Sequence, residues 1–121
     1  MPASMERSLY ATYLAGIFRS VRFGITESHG RGMALQFNYL YERKAFLFDS
    51  ANATFRVNYE KIKEMTEALA GEIMTIQAEG DYEMAKNLFG RYAVIPPDLQ
   101  RALNKLDDIP VDIAPQFSVA K

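Results

Sequence analysis

The sequence holds a single imidazole, His29, and no cysteine. Acid–base or nucleophilic chemistry near neutral pH therefore has one ordinary base to draw on. That histidine lies in the run Glu27-Ser28-His29-Gly30-Arg31-Gly32. Helical apolar spacing begins just after it, so a helix starts near Ser28, with Thr26 or Ser28 as its cap. The positive end of a helix dipole favours a neutral ring. A neutral imidazole so placed could donate a hydrogen bond to a developing oxyanion. Arg19, Arg22 and Arg31 lie near the same joint in sequence and would add positive potential. Ser28 points elsewhere on a helix and makes no nucleophile–base pair with its neighbour. Gly30 and Gly32 cost the first turn about 1 kcal/mol each relative to alanine. They admit close packing or close approach of a ligand, or they mark a frayed turn.

Other chemistries find no residues to carry them. A zinc site needs three or four His, Cys, Asp or Glu ligands in tetrahedral array, whereas the acidic residues here are scattered and Asp107-Asp108 is their one doublet. The sequence thus assigns no metal ligand. Gly30-Arg31-Gly32 lacks both the Walker pattern and a preceding strand, and the spaced glutamates of a Nudix motif are absent. A net charge of −1 supplies no field for nucleic acid, which is held by clustered Lys and Arg. No apolar run reaches the roughly 18 residues of a membrane helix. The opening Met-Pro-Ala-Ser-Met-Glu-Arg is no signal peptide. Without cysteines, nothing supports an oxidising compartment. The expectation is a cytoplasmic protein.

The elements that must position His29 follow from periodicity. The 121 residues, 49% apolar, suffice for one core. A first helix runs from about Met5 to Phe23 with Tyr10, Tyr13, Leu14, Ile17, Phe18 and Val21 on one face, closed by Gly24. Ile25, Thr26 and Glu27 form a joint. The second helix carries Met33, Phe37, Leu40 and Tyr41. Ala45–Asp49 and Thr54–Val57 read as a small hairpin, marginal in water unless it leans on the helices. Asn58 caps a third helix, Tyr59 to Glu79, whose stripe is Ile62, Met65, Leu69, Ile73 and Ile76. Gly80 ends it and Asp81 caps a fourth, with Tyr82, Ala85, Leu88, Phe89 and Tyr92 on the core face. Pro97 opens a fifth helix carrying Leu99, Ala102, Leu103 and Leu106, and Pro110 ends it. The tail, 111–121, reads as extended. The predicted fold is mainly α, a single domain over 1–121: about five helices around one core with a small β-hairpin between the second and third.

The run Tyr13-Leu-Ala-Gly-Ile-Phe-Arg-Ser-Val-Arg-Phe-Gly24, then Glu27 through Leu40, resembles part of the dipeptidyl peptidase III family of zinc metallopeptidases. Ile76-Gln-Ala-Glu-Gly-Asp-Tyr-Glu-Met-Ala-Lys86, Tyr92-Ala-Val94 and Asp108-Ile-Pro-Val-Asp-Ile113 carry the same resemblance. It spans roughly Tyr10 to Phe117, is nearest the bacterial branch, and is to the C-terminal part of the catalytic region. The resemblance implies a zinc held upstream by a His-Glu-x-x-x-His helix and a later glutamate, none of them in this chain. It implies that His29 matches a histidine thought to steady the tetrahedral intermediate. Where eukaryotic members have an arginine one turn later, this sequence has Met33, and Arg31 is the nearby basic residue that would contact substrate. Some members are fused to Nudix domains and carry that label.

Two functional expectations follow. The first is a non-catalytic C-terminal domain lining the active cleft of a larger zinc-dependent peptidase, partnered by the upstream catalytic domain and a peptide substrate. The second is a freestanding helical interaction or dimerisation module, a homodimer joined through exposed apolar faces. Neither involves nucleic acid or a membrane.

Overall fold

The computed structural model describes residues 2–22, 24–25 and 28–106. Five helices and one hairpin follow in the predicted order: α1 (Ala3–Val21), α2 (Ser28–Glu42), β1 (Phe46–Asp49), β2 (Thr54–Val57), α3 (Ile62–Glu79), α4 (Tyr82–Tyr92) and α5 (Pro97–Leu106). The cap at Thr26, the Asp107-Asp108 doublet, the stop at Pro110 and the extended tail 111–121 all lie outside the described residues.

α2 is the centre of the fold. Its stripe residues Phe37 and Leu40 are buried, but so are Gly30, Ala34, Leu35, Asn38 and Tyr39. Helix α1 covers one side with Leu14, Ile17 and Val21, α3 contributes Ile62 and Leu69, and α5 contributes Leu99 and Leu103. The hairpin pairs Phe46 with Val57 and Phe48 with Phe55. It does lean on the helices: Phe55 meets Phe37 edge to face at 4.9 Å and Phe18 at 5.7 Å. Such pairs add about 0.5–1.5 kcal/mol each beyond area burial. Two cations of α5 hold the hairpin loop from the other side, Arg101 donating to the Ser50 carbonyl at 3.0 Å and Lys105 to the Asn52 carbonyl at 2.7 Å.

Three expectations need correction. α1 starts at Ala3, not Met5, because Pro2 is already extended at φ −60°, ψ 148° and its carbonyl accepts the Glu6 N–H at 3.0 Å. The third helix starts at Ile62, not Tyr59. Asn58 is tied back to the hairpin, its N–H to the Ala45 carbonyl and its side-chain amide to that of Lys44. A turn over 59–61 is needed before the chain can enter α3. The face assigned to α4 is only partly core: Tyr92 is buried, while Tyr82 is 86% and Phe89 38% exposed. α4 packs on α2 and α3, and its stripe reaches the core through Tyr92 fully and Leu88 in part.

The helix ends otherwise follow the expected chemistry. Gly80 closes α3 in the left-handed region at φ 61°, and Asp81 caps α4 by accepting the Met84 N–H at 3.0 Å. Asn38, deep in α2, donates its side-chain N–H groups to the carbonyls of Tyr92 at 2.6 Å and Val94 at 2.7 Å. One buried amide thus helps to satisfy the carbonyls where α4 ends, that of Tyr92 also accepting the Val94 N–H at 2.8 Å.

Candidate functional site

His29 is the second residue of α2 and is exposed. Its Nε2 lies 3.1 Å from the hydroxyl oxygen of Ser20, in the last turn of α1. Helix α2 can come this close to the end of α1 because Gly30 has no side chain. A Cβ there would run into the Gly24 carbonyl oxygen and stand 3.3 Å from the Ile25 Cα. Gly24 itself takes φ 103° and donates its N–H to the Val21 carbonyl at 2.9 Å. Of the readings left open for the glycines, close packing is the one that holds at Gly30. At Gly32 a Cβ would meet nothing within 4 Å.

Arg31 is also exposed, but it engages a different neighbour. Its guanidinium carbon stands 5.5 Å from the Phe89 ring centroid, on α4. Two positions along a helix amount to about 200° of rotation, so His29 turned to α1 and Arg31 turned to α4 follow from their spacing. The structure does not bring the two candidates onto one face. Of the other arginines near the joint, Arg22 donates to the Leu106 carbonyl at 2.9 Å, tying the end of α1 to the end of α5. Arg19 is exposed in the last turn of α1. Met33, one turn after His29, is half-buried and takes part in a chain of contacts. The Tyr13 hydroxyl donates to Gln36 at 2.5 Å, and the Gln36 amide donates to the Met33 sulfur at 3.4 Å.

Ser20 is the residue that sequence reasoning missed at this site. Nothing in its own neighbourhood marks it; only the packing of α1 on α2 makes it a partner of the imidazole. A second polar cluster also went unread. The Glu42 carboxylate accepts from Tyr92 at 2.7 Å, Arg91 at 3.1 Å and Arg43 at 3.2 Å, and Arg43 lies 3.5 Å above the Tyr39 ring centroid. The hydrogen bond from Tyr92 is the main reason the Glu42 carboxyl falls below its ordinary value. Burial lifts the Tyr39 phenol to about 12, as it does those of Tyr13 and Tyr41. This cluster clamps α2 to α4 and presents no open base.

Among the described residues, no three His, Cys, Asp or Glu side chains come together as a ligand set. No described helix is long and apolar enough to cross a membrane. An apolar groove of about 600 Å³ lies between α1 and α3, walled by Leu9, Tyr10, Tyr13, Leu69, Ala70 and Ile73.

No model of a known protein family matches the sequence. A curated plant relative, Nudix hydrolase 3 of Arabidopsis thaliana, is 49% identical over 120 residues, which is 98% of this chain but 15% of that protein. The name conflicts with the residues, since this chain has no Nudix glutamate pattern, and six-sevenths of that protein lie outside the match. Two solved structures agree closely with the fold. Dipeptidyl peptidase III from Caldithrix abyssi superposes with a TM-score of 0.87 at 48% identity, over 92% of this chain and 21% of that one. Dipeptidyl-peptidase III from Corallococcus sp. strain EGB does so with a TM-score of 0.84 at 38% identity, over 92% of this chain and 20% of that one. The chain is therefore dipeptidyl peptidase III-like over nearly its whole length, near bacterial members, and it corresponds to about a fifth of each of those chains, consistent with their C-terminal part.

Proposed function

We propose that this chain is the non-catalytic C-terminal domain of a zinc-dependent dipeptidyl-peptidase-III-like hydrolase, where it lines the active cleft. The observation that carries the reading is the pairing of close similarity with partial coverage. A fold matched at 48% identity over 92% of its own length fills only 21% of the neighbour, and its residues offer no zinc ligand set among those described. The zinc and its ligands belong, in this reading, to the upstream catalytic domain, which is also the partner that the chain docks against. His29 contributes an N–H to the oxyanion of the tetrahedral intermediate, and Arg31 contacts the peptide substrate. Their separate orientations fit two separate tasks. Cytoplasmic residence belongs to the same reading, supported by a chain with no cysteine.

The test compares the parent protein with its parts. The purified 121-residue chain is expected to bind no stoichiometric zinc and to cleave no peptide. The parent should do both, and His29→Ala in the parent should lower kcat by about 100-fold or more, the usual loss for one oxyanion donor. Peptidase activity in the isolated chain, or a His29→Ala parent with unchanged kcat, would refute the respective assignments.

A second reading, a freestanding dimerisation module, draws on the α1–α3 groove and on the neighbouring Met5 and Leu9, 58% and 55% exposed. Sedimentation equilibrium of the chain separates the two readings. A stable dimer that Leu9→Asp dissolves favours the module; a monomer favours the docked domain.

A further inference from the structure

We infer that Ser20 is the positioning residue of His29: its hydroxyl donates to Nε2 and holds the neutral ring with its proton on Nδ1. This rests on the proposed role of His29 and deepens it, because it names the nitrogen that faces substrate. The starting observation is the 3.1 Å contact between Ser20 Oγ and His29 Nε2. Among the described residues, His29 is the hydrogen-bond partner of that hydroxyl.

The contact alone allows two proton arrangements. In one, Nε2–H donates to Ser20, and Nδ1 is left as a bare lone pair. In the other, Ser20 donates to Nε2, and Nδ1 carries the hydrogen. Only the second leaves the neutral ring with a donor for negative charge on a substrate oxygen. Ser20 is half-buried, His29 is exposed, and their contact lies at the surface: with Nε2 engaged by α1, Nδ1 is the ring nitrogen left for a ligand. The arrangement is built on backbone as well as side chain. The close pass of Gly30 under the Gly24 carbonyl packs the first turn of α2 against the joint that follows α1, beside the Ser20–His29 contact. Supporting groups of this kind set both tautomer and orientation in catalytic histidines generally.

The chain's one histidine makes the test direct. Two-bond proton–nitrogen correlation spectra of the uniformly ¹⁵N-labelled chain, at a pH where the ring is neutral, report which nitrogen holds the hydrogen. The expected result is a predominant Nδ1–H form. Ser20→Ala should return the ring to the Nε2–H preference of free histidine, and Ser20→Thr, which keeps the hydroxyl, should preserve Nδ1–H. Predominant Nε2–H in the wild type, or an unchanged tautomer in Ser20→Ala, overturns the inference, whatever His29 does in catalysis. Unchanged helical circular dichroism in both variants shows that the fold is intact.

The catalytic arm uses the parent peptidase. There Ser20→Ala should lower kcat about five- to tenfold, as expected for one hydrogen bond, with KM little changed and Ser20→Thr restoring the rate. If the tautomer shifts and kcat does not, the positioning stands and the oxyanion role of His29 falls.

Discussion

Gly30→Ala gives the sharpest test of how the candidate site is held. The added Cβ would be driven into the Gly24 carbonyl oxygen and pressed to 3.3 Å from the Ile25 Cα. Both obstacles are backbone, so no flexible side chain can swing aside. Relief needs the joint and the first turn of α2 to part by on the order of 1 Å. Overpacking of this kind costs about 1–3 kcal/mol, offset by roughly 1 kcal/mol of helix propensity gained when alanine replaces glycine. The net expectation is a loss of up to about 2 kcal/mol, or a fall in Tm of up to roughly 8 °C for a domain of this size. Gly32→Ala is the internal control, two residues along the same helix with nothing within 4 Å of its new methyl. It gains the propensity and meets no obstacle, so it should stabilise by about 0.5–1 kcal/mol. Urea unfolding followed by far-ultraviolet circular dichroism reads both. Equal effects, or a stabilised Gly30→Ala, would refute the argument that the joint's backbone dictates glycine there. The same variant should also disturb the His29 ring signals, because it separates Ser20 from the imidazole.

Other outcomes follow from the contacts around α2. Asn38→Leu removes the two N–H groups that serve the Tyr92 and Val94 carbonyls and should cost about 1–3 kcal/mol in urea unfolding, since the Val94 carbonyl loses this donor and the Tyr92 carbonyl keeps the Val94 N–H. The Glu42 carboxyl is held below its ordinary value of 4.5 in the folded state. Its contribution is therefore whole above that pH and is lost as pH falls through the folded value. Glu42→Gln should flatten the acid side of a stability–pH curve and leave its shape near neutrality unchanged. The phenols of Tyr13, Tyr39 and Tyr41 are raised from 10.0 to about 12. That stabilisation is complete below pH 10 and lost as pH rises through 12, so three tyrosines should ionise late, together with unfolding, in an absorbance titration at 295 nm. Arg31→Ala loses one exposed contact with Phe89 and should change stability by no more than about 1 kcal/mol. In the parent peptidase proposed above, its effect should appear in KM.

Helical period alone placed most of the fold. The stripes of α1 and α3 face the core because each helix has a single buried side, the case that the 3.6-residue repeat describes. It failed in opposite directions on α2 and α4. Helix α2 is enclosed on several sides, and the small or polar residues that make this possible, Gly30, Ala34 and Asn38, carry little apolar signal. Helix α4 has a good stripe, but only its C-terminal half reaches the core, so Tyr82 stays outside. The candidate site divides in the same way. His29 and Arg31 were visible as residue types beside a helix start. Their divergence is a matter of helical phase, and the partnership with Ser20 depends on how two helices cross, which no local spacing encodes. The Glu42 clamp was hidden for the same reason, since its members come from α2 and α4, some 50 positions apart.

The bond from Arg22 to the Leu106 carbonyl spans 84 positions. Its consequence concerns timing. A chain leaves the ribosome N-terminus first at about 5–20 residues per second, so α1 and the His29 turn emerge several seconds before the α5 carbonyl that latches the end of α1. Through that interval the Ser20 and His29 side chains can meet, but the end of α1 still lacks its bond to α5. The candidate site thus reaches its final geometry only when nearly the whole domain has been made.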